Sequence, residues 1–570
     1  MRVNKNIKVI IYIFIALFLL FVFLYINLDR IKGKIPYGSK TFQLGLSVVY
    51  KFRDLADLVY LSKMQGESVL PVYEINIDKD NLVKMNEGLS KVGEDRVFND
   101  GLKESVPAKF IFEDKEYDVE ISYRGLQDIH WNADKKSYSI KFDKDKKFAG
   151  ARKLNLILPI DRKYFIEALN SYRADKFGLM AAPIKFVNLK LNGKLQGVYI
   201  QQEGWSDEFL EHIGKSRKGK LFKTRDIRAN ICKTKEQYYE CLKKYVSLWE
   251  LVAGQDEGLR TYEELKKLFN VFSIEDNNLF AQEIVKVADV EKFLKWNAHY
   301  LLVQSYHQGI SNLRLYFDPN TKKFEPVVWD VNMDMNHNHP SIPSKIDEID
   351  IKYNPFVDRL LAVPEFRHRR NEILWDYIED NKELEDDLAF YDKLYMETKL
   401  DFYRDRLKRK SNFSFDADTE LFSNNLINYY KNLQTIFESS GYIVDIESRN
   451  GMFGINILVD SFVSTNLDKV TVDLQDSDND IFSVYQDTNN NKQLDGADKL
   501  LATERSKNDI LELKSLDGVM YRLYDLESGV LSQPKSNYFF VIFDKSIEYK
   551  SIEIEVLNTH TNKKSNNFSI

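Results

Sequence analysis

The sequence predicts an α+β protein in two folded parts behind a membrane-spanning helix, on three observations. Val9 to Ile26 is an uncharged apolar run of 18 residues. Leu70 to about residue 440 mixes period-two stretches with segments of helical spacing. Near Gly441 the pattern shifts to short alternating strands separated by turn residues, as in a β-sandwich. The predicted division is 1–34 for the N-terminus and anchor, 35–69 for a helical lead-in, 70–440 for the mixed unit and 441–570 for the sandwich-like unit.

An apolar run of that length spans a hydrocarbon core of about 30 Å at about 1.5 Å per residue. Cleavable signals carry a shorter apolar stretch and a small-residue cleavage site. Here the run ends in Tyr25-Ile26-Asn27-Leu28-Asp29-Arg30, with no such site and no lipid-accepting cysteine nearby. Arg2, Lys5 and Lys8 precede it and orient the N-terminus to the cytoplasm. The expectation is an uncleaved anchor with the bulk of the chain extracytoplasmic. Cys232 and Cys241 could close a small disulfide loop there. The residues between them read as helical, which would hold the sulfurs apart, so the pair stands either as a bridge or as two thiols.

Charge excludes one function class. The chain has 81 Lys+Arg against 87 Asp+Glu, a net −6, and its lysine-rich stretches are interleaved with aspartate. No basic stripe suited to nucleic acid is visible.

Within the mixed unit, strands are predicted at 70–77, 108–112, 117–123, 137–142 and 154–157, then a helix over 161–177. Asn192-Gly193 lies between two β-type runs and predicts a tight hairpin. Residues 205–300 read as mainly helical. Two strands at 313–317 and 324–329 bracket Asp318-Pro319-Asn320, and 355–440 reads as a helical block.

Four ordered segments then carry a resemblance. They are Tyr123-Arg124-Gly125 with His130-Trp131 and Lys135-Lys136-Ser137-Tyr138-Ser139-Ile140-Lys141-Phe142; Leu154-Asn155-Leu156 with the helix after Asp161; Leu191-Asn192-Gly193 with Gly197-Val198-Tyr199 and Glu203; and Ser311-Asn312-Leu313-Arg314-Leu315-Tyr316 with Val328-Trp329-Asp330. The set resembles the CotH (spore-coat protein H) kinase-like family over roughly 70–440. The resemblance implies an atypical protein-kinase-like two-lobed fold and an ATP-dependent phosphotransferase using Mg²⁺ or Mn²⁺, with a protein or glycan substrate outside the cytoplasm.

Phosphoryl transfer asks the protein to neutralise phosphates, hold metal ions and orient an acceptor. A strand lysine paired with a helical glutamate can supply the cation; Lys136 or Lys141 can play that part with Glu167, and Lys136 lies more centrally in the motif. Asn312 and Asp330 resemble the metal-binding Asn and Asp of kinases, both hard oxygen donors. The resemblance places Glu203 beside the nucleotide. Many family members carry an Asp a few residues before the Asn; here that stretch is Ser305-Tyr306-His307-Gln308-Gly309-Ile310-Ser311. His307 is a substitute base or a structural histidine. Asn332 likewise stands where the family has a second Asp. These departures keep open a pseudokinase that serves as a binding or scaffolding protein in an envelope or coat.

A second site is read in the C-terminal part. Asp487, Asn489, Asn491, Asp495 and Asp498 place side-chain oxygens at loop positions 1, 3, 5, 9 and 12, a spacing that can wrap Ca²⁺, with Lys492 where a turn glycine is usual.

Overall fold

The computed structural model describes residues 51, 53–93, 96–224, 246–254, 262–303, 312–331, 354–439, 441–449, 452–521, 537–543, 548–564 and 568–569. The apolar run 9–26, both cysteines, His307 and Asn332 lie outside the described residues. Among the described residues no helix is long and apolar enough to cross a membrane.

The first layer is a closed barrel. Its strands are β1 (Val72–Asn76), β2 (Val106–Phe112), β3 (Lys115–Tyr123), β4 (Tyr138–Phe142) and β5 (Lys153–Ile157). A short β6 (Met180–Ala181) belongs elsewhere, and β7 (Ile184–Leu191) and β8 (Lys194–Glu203) complete the ring in the order β1-β2-β3-β4-β5-β8-β7. Neighbours are antiparallel except β1 and β7, which close it in parallel. Period two fills the interior: Val119, Ile121 and Tyr123 of β3 and Tyr138, Ile140 and Phe142 of β4 all point inward. The same alternation turns Lys141 outward, where it pairs with Glu120 on the neighbouring strand at 2.8 Å. The β7–β8 turn bears out the hairpin expectation, with Asn192 and Gly193 both at positive φ (48° and 75°).

The second layer is helical around a smaller sheet. After α1 (Lys79–Ser90), beside the barrel, come α2 (Ile166–Lys176) and α3 (Asp207–His212). Strands β9 (Lys220–Thr224), β10 (Trp249–Gly254), β11 (Arg314–Asp318) and β12 (Lys323–Val328) join β6 in the order β10-β9-β11-β12-β6. Strands β9 and β10 fall in the stretch read as helical; they are short, and their burial comes from sheet neighbours that local periodicity does not reveal. The β11–β12 hairpin agrees with the sequence reading. Helices α4 (Glu263–Phe272), α5 (Asn277–Val287), α6 (Val290–Val303), α7 (Pro355–Leu361), α8 (Pro364–Ile378), α9 (Lys382–Arg404) and α10 (Asn412–Glu438) contribute to one large apolar core, together with Phe165 and Leu169.

One fully buried ion pair ties α2 into this core. Arg173 meets Asp387 of α9 at 2.7 Å, and the hydroxyls of Tyr430 and Tyr377 donate to the same carboxylate at 2.7 and 3.0 Å. The position of α2, and of Glu167 in its first turn, is thereby set from its far end.

Strands β13 (Tyr442–Arg449) to β21 (Phe568–Ser569) form a five-stranded and a four-stranded sheet. The two share an apolar core of their own, which includes Ile455, Leu467, Val484, Leu513 and Ile554. They meet the helices where Phe437 packs on Phe462 (5.3 Å between centroids) and Asn558 donates to the Phe437 carbonyl (2.7 Å).

Candidate functional site

The site grows from the end of β12. Phe324 to Val328 are buried, and the chain leaves the strand through Trp329 into Asp330, which sits at φ 55°. That left-handed conformation costs a non-glycine residue about 1–2 kcal/mol, least for Asn and Asp. Both neighbours are pinned: Tyr300 donates to the Trp329 carbonyl (3.1 Å) and Asn170 of α2 to that of Val331 (2.7 Å). The Asp330 carboxylate is consequently aimed. One oxygen is bonded by the Arg162 guanidinium, and the other accepts from Asn312 Nδ2 at 3.0 Å.

Arg162 ends a 3₁₀ turn, Pro159–Arg162, between β5 and α2. Lys163 and Tyr164 follow at φ 47° and 64°, so the chain reverses sharply and leaves Arg162 buried. Its guanidinium faces three carboxylates: Asp330, Asp161 at 3.1 Å and Glu167 at 3.7 Å. Gln202 donates to Glu167 at 3.3 Å. His130 Nε2 lies 3.6 Å from Asp161. Because Ser137 Oγ accepts from Leu158 N–H (3.1 Å), its own proton is available to His130 Nδ1 at 3.0 Å, which leaves Nε2–H toward Asp161. Arg124 and Arg314 reach the same place over the Trp329 ring, at 5.9 and 5.6 Å from its centroid.

Electrostatics follow the burial. Burial opposes the charge of Arg162, yet Asp330, Asp161 and Glu167 together hold its proton more firmly than usual. Burial, then repulsion from Asp330 and Asp161, raises the Glu167 carboxyl above its ordinary value against the pull of Arg162. Arg124 is pushed down to about 10 by burial and by Arg162, and His130 to about 4 by burial, so its imidazole is neutral at pH 7. Asp161 Oδ2 and Glu167 Oε2 are buried with no hydrogen-bond donor.

Among the predicted residues, Glu167, Asn312 and Asp330 meet in this cluster. The expected lysine does not. Lys136 turns its ammonium to the Ala133 carbonyl and over the Tyr123 ring, and Lys141 is on the outer barrel face by strand alternation. The cation on Glu167 is Arg162. Glu203 is a second correction: successive strand residues point to opposite faces, so Gln202 reaches Glu167 while Glu203 pairs with His212 at 2.8 Å. Sequence reading passed over Arg162, Asp161 and Arg124 as active groups, although the Asp161-Arg162 pair before an apolar helix was an available signal.

In the C-terminal loop, Asp495 Oδ2 accepts from the amides of Asn489 (3.1 Å) and Asn491 (2.8 Å). Asp487 accepts Asn491 N–H (3.2 Å) and Lys492 N–H (2.7 Å), and Asp498 accepts Asp495 N–H (2.7 Å). Lys492 takes φ 59°, the conformation for which a glycine is usual. Among the described residues no three His, Cys, Asp or Glu side chains form a ready metal cage.

Known proteins set this geometry in context. The inner spore coat protein H of Bacillus subtilis (strain 168) is 26% identical over 315 residues, 55% of this chain and 82% of that protein. The solved complex of the Shewanella oneidensis MR-1 toxin–antitoxin system HipA, HipB and its operator DNA is 12% identical, covering 64% of this chain and 74% of its own with a TM-score of 0.26. At that score no correspondence of residues follows. The family described as CotH kinase protein matches residues 121–433, a stretch that contains Arg124, Arg162, Glu167, Asn312 and Asp330. With more than half of its length inside that match, the chain belongs to the CotH kinase family.

Proposed function

We propose that the chain is an ATP- and Mg²⁺-dependent phosphotransferase that acts on a protein or glycan outside the cytoplasm, held at the membrane by Val9–Ile26. In this reading 70–440 is the catalytic unit and 441–570 a separate β unit. The observation that carries it is Asp330: a carboxylate in a strained left-handed residue, aimed from both sides and touching Asn312, which one expects of a group positioned for chemistry.

The residues present fit the cofactor. Mg²⁺ uses one or two protein oxygen ligands and takes the rest from water and phosphates, so it needs no closed protein cage. Asp330 and Asn312 would hold the ion, and the buried donor-less oxygens of Asp161 and Glu167 mark a cluster able to take more positive charge. Bound Mg-ATP supplies the transferable phosphoryl group and neutralises charge that develops on it. Arg162 keeps Asp330 oriented. Arg124 and Arg314, over the Trp329 ring, offer cations where phosphates would enter. The acceptor's base falls to His307.

A second reading, a scaffolding pseudokinase, draws on a specific observation: both Asp330 oxygens are already engaged, by Arg162 and by Asn312. Titration calorimetry with ATP and millimolar Mg²⁺ or Mn²⁺, followed by phosphate transfer from γ-labelled ATP, separates the two. We expect binding and transfer, with His307→Ala retaining the first and losing the second. A wild type that binds no nucleotide leaves the scaffold reading.

We also propose that the 487–498 loop binds Ca²⁺ weakly, supported by the left-handed Lys492 and the meeting of Asn489, Asn491 and Asp495. Millimolar Ca²⁺ should raise the melting temperature of the chain, and Asp495→Ala should remove that rise; identical melts in Ca²⁺ and in chelator would end the idea.

A further inference from the structure

The segment that precedes the barrel turns a row of large apolar residues to solvent. In its short helix, Asp57–Met64, and the helical residues before it, Arg53 and Asp57 are buried at only 7% and 4% exposed beside Tyr60 and Met64, while Lys51, Ser62 and Lys63 are exposed. Four large apolar residues face outward: Leu55 is 61% exposed, Leu58 48%, Val59 78% and Leu61 49%.

The inward face explains itself. Asp57 accepts the Asn412 N–H at 2.7 Å, Tyr60 donates to Asp416 at 2.8 Å, and Arg53 donates to the Arg406 carbonyl at 2.7 Å. Arg404 returns two hydrogen bonds of 2.6 Å to the carbonyls of Met64 and Gly66. This strap is therefore clamped onto the α9–α10 corner by polar bonds, and its orientation is determined. The outward face has no such account. A row of leucine and valine turned to water by a rigid clamp is the pattern of a surface that meets something apolar.

Two features identify the occupant. The strap begins at Arg53, 27 residues after Ile26, a stretch that reaches at most about 97 Å even when fully extended. A tether of that length holds the strap at high effective concentration against whatever holds the anchor. The surroundings are also basic. Residues 27–54 hold six Lys or Arg against Asp29 and Asp54, of which Arg53 is turned inward; of the five in 404–410, Lys408 is buried against Asp57, Lys410 pairs with Asp418 and Arg406 is exposed. Phe413, which follows the clamped Asn412, is 71% exposed at this corner. Leucine, valine and phenylalanine rimmed by lysine and arginine match the boundary of an anionic lipid bilayer, where apolar side chains enter the acyl region and cations meet headgroups.

We infer that the outward face of the 53–66 strap lies in the surface of an anionic bilayer, so that the α9–α10 corner is seated on the membrane. This rests on Val9–Ile26 being the anchor. It adds that the catalytic unit is not swinging on a tether but is docked in one orientation, which restricts its substrates to those presented at that distance from the lipid.

The test uses the full-length chain in phosphatidylcholine/phosphatidylglycerol vesicles, with the photo-crosslinker benzoylphenylalanine at position 59 or, as a control, at 500. Leu500 is 50% exposed on the edge of the β-sheets. Flotation reports the anchor independently of the docking. We expect chain that floats and a lipid adduct at 59 but not at 500. Floating chain with no lipid adduct at 59, or with an adduct to a second copy instead, overturns the docked face and leaves the anchor standing. Chain that does not float overturns the anchor and the inference with it.

Discussion

Replacing Arg162 with methionine is expected to destabilise the chain by about 3–5 kcal/mol at neutral pH, the usual cost of stranding a buried charge by removing its partner. Three carboxylates, Asp161, Glu167 and Asp330, share that one guanidinium, and two of their oxygens are buried without a hydrogen bond. The cost should depend on pH in a definite sense. Burial raises the Glu167 carboxyl above its unfolded value, so its contribution to stability is full below that value and falls as pH rises through the folded one. Without Arg162 the folded value rises further, because the guanidinium was the strongest influence opposing burial. Arg162→Met should therefore lie closest to wild type in mildly acidic solution and fall behind it as the pH is raised past neutrality. Denaturant unfolding at pH 5 and pH 8 measures this; a loss equal at both values would mean that Glu167 is not the group left stranded. Arg162→Lys should recover only part of the difference, since an ammonium cannot present the same fork to several carboxylates.

Replacing Asp330 with asparagine is expected to lower Mg²⁺-dependent ATP affinity by more than the roughly 10–100-fold that loss of an outer-shell partner costs a metal site. Asparagine tolerates the left-handed backbone and can still bond Asn312, so the fold should be retained while the charged oxygen is lost. Asp330→Ala should lose binding to the same extent and also give up about 1.5–3 kcal/mol of stability, the worth of a hydrogen bond to a charged group. The pair of variants separates a ligand from a strut. Calorimetry with and without Mg²⁺ is the readout, and an Asp330→Asn protein that binds Mg-ATP like wild type would remove Asp330 from the metal site.

The second variant also bears on the two functional readings. If Arg162 holds Asp330 for catalysis, nucleotide binding and Asp330 stand or fall together. If Arg162 instead seals Asp330 in a structural ion pair, neither Asp330 variant changes nucleotide affinity, and the scaffold reading gains.

Much of the framework was legible in the chain itself, for a local reason. Strand alternation in β2 to β5, the Asn192-Gly193 turn and the β11–β12 hairpin depend on residues within a few positions of one another, and period and turn chemistry record them directly. The meeting of Asn312 and Asp330 was legible for the same reason, since both lie at the ends of one hairpin. What periodicity could not supply was the choice of cation. Lys136 was the lysine best placed by motif, but its side chain is held by the Ala133 carbonyl and the Tyr123 ring. The cation that meets Glu167 comes from a turn whose left-handed residues Lys163 and Tyr164 have no signature in composition. Glu203 failed by one residue for a geometric reason, because the strand face that reaches Glu167 belongs to Gln202. The sequence by itself determined most of the barrel strands, the β11–β12 hairpin and the family. Only the tertiary structure decided which charges share a site, because a buried guanidinium among three carboxylates is set by how β5, α2 and β12 pack, and a contact spanning 168 residues leaves no trace in local pattern.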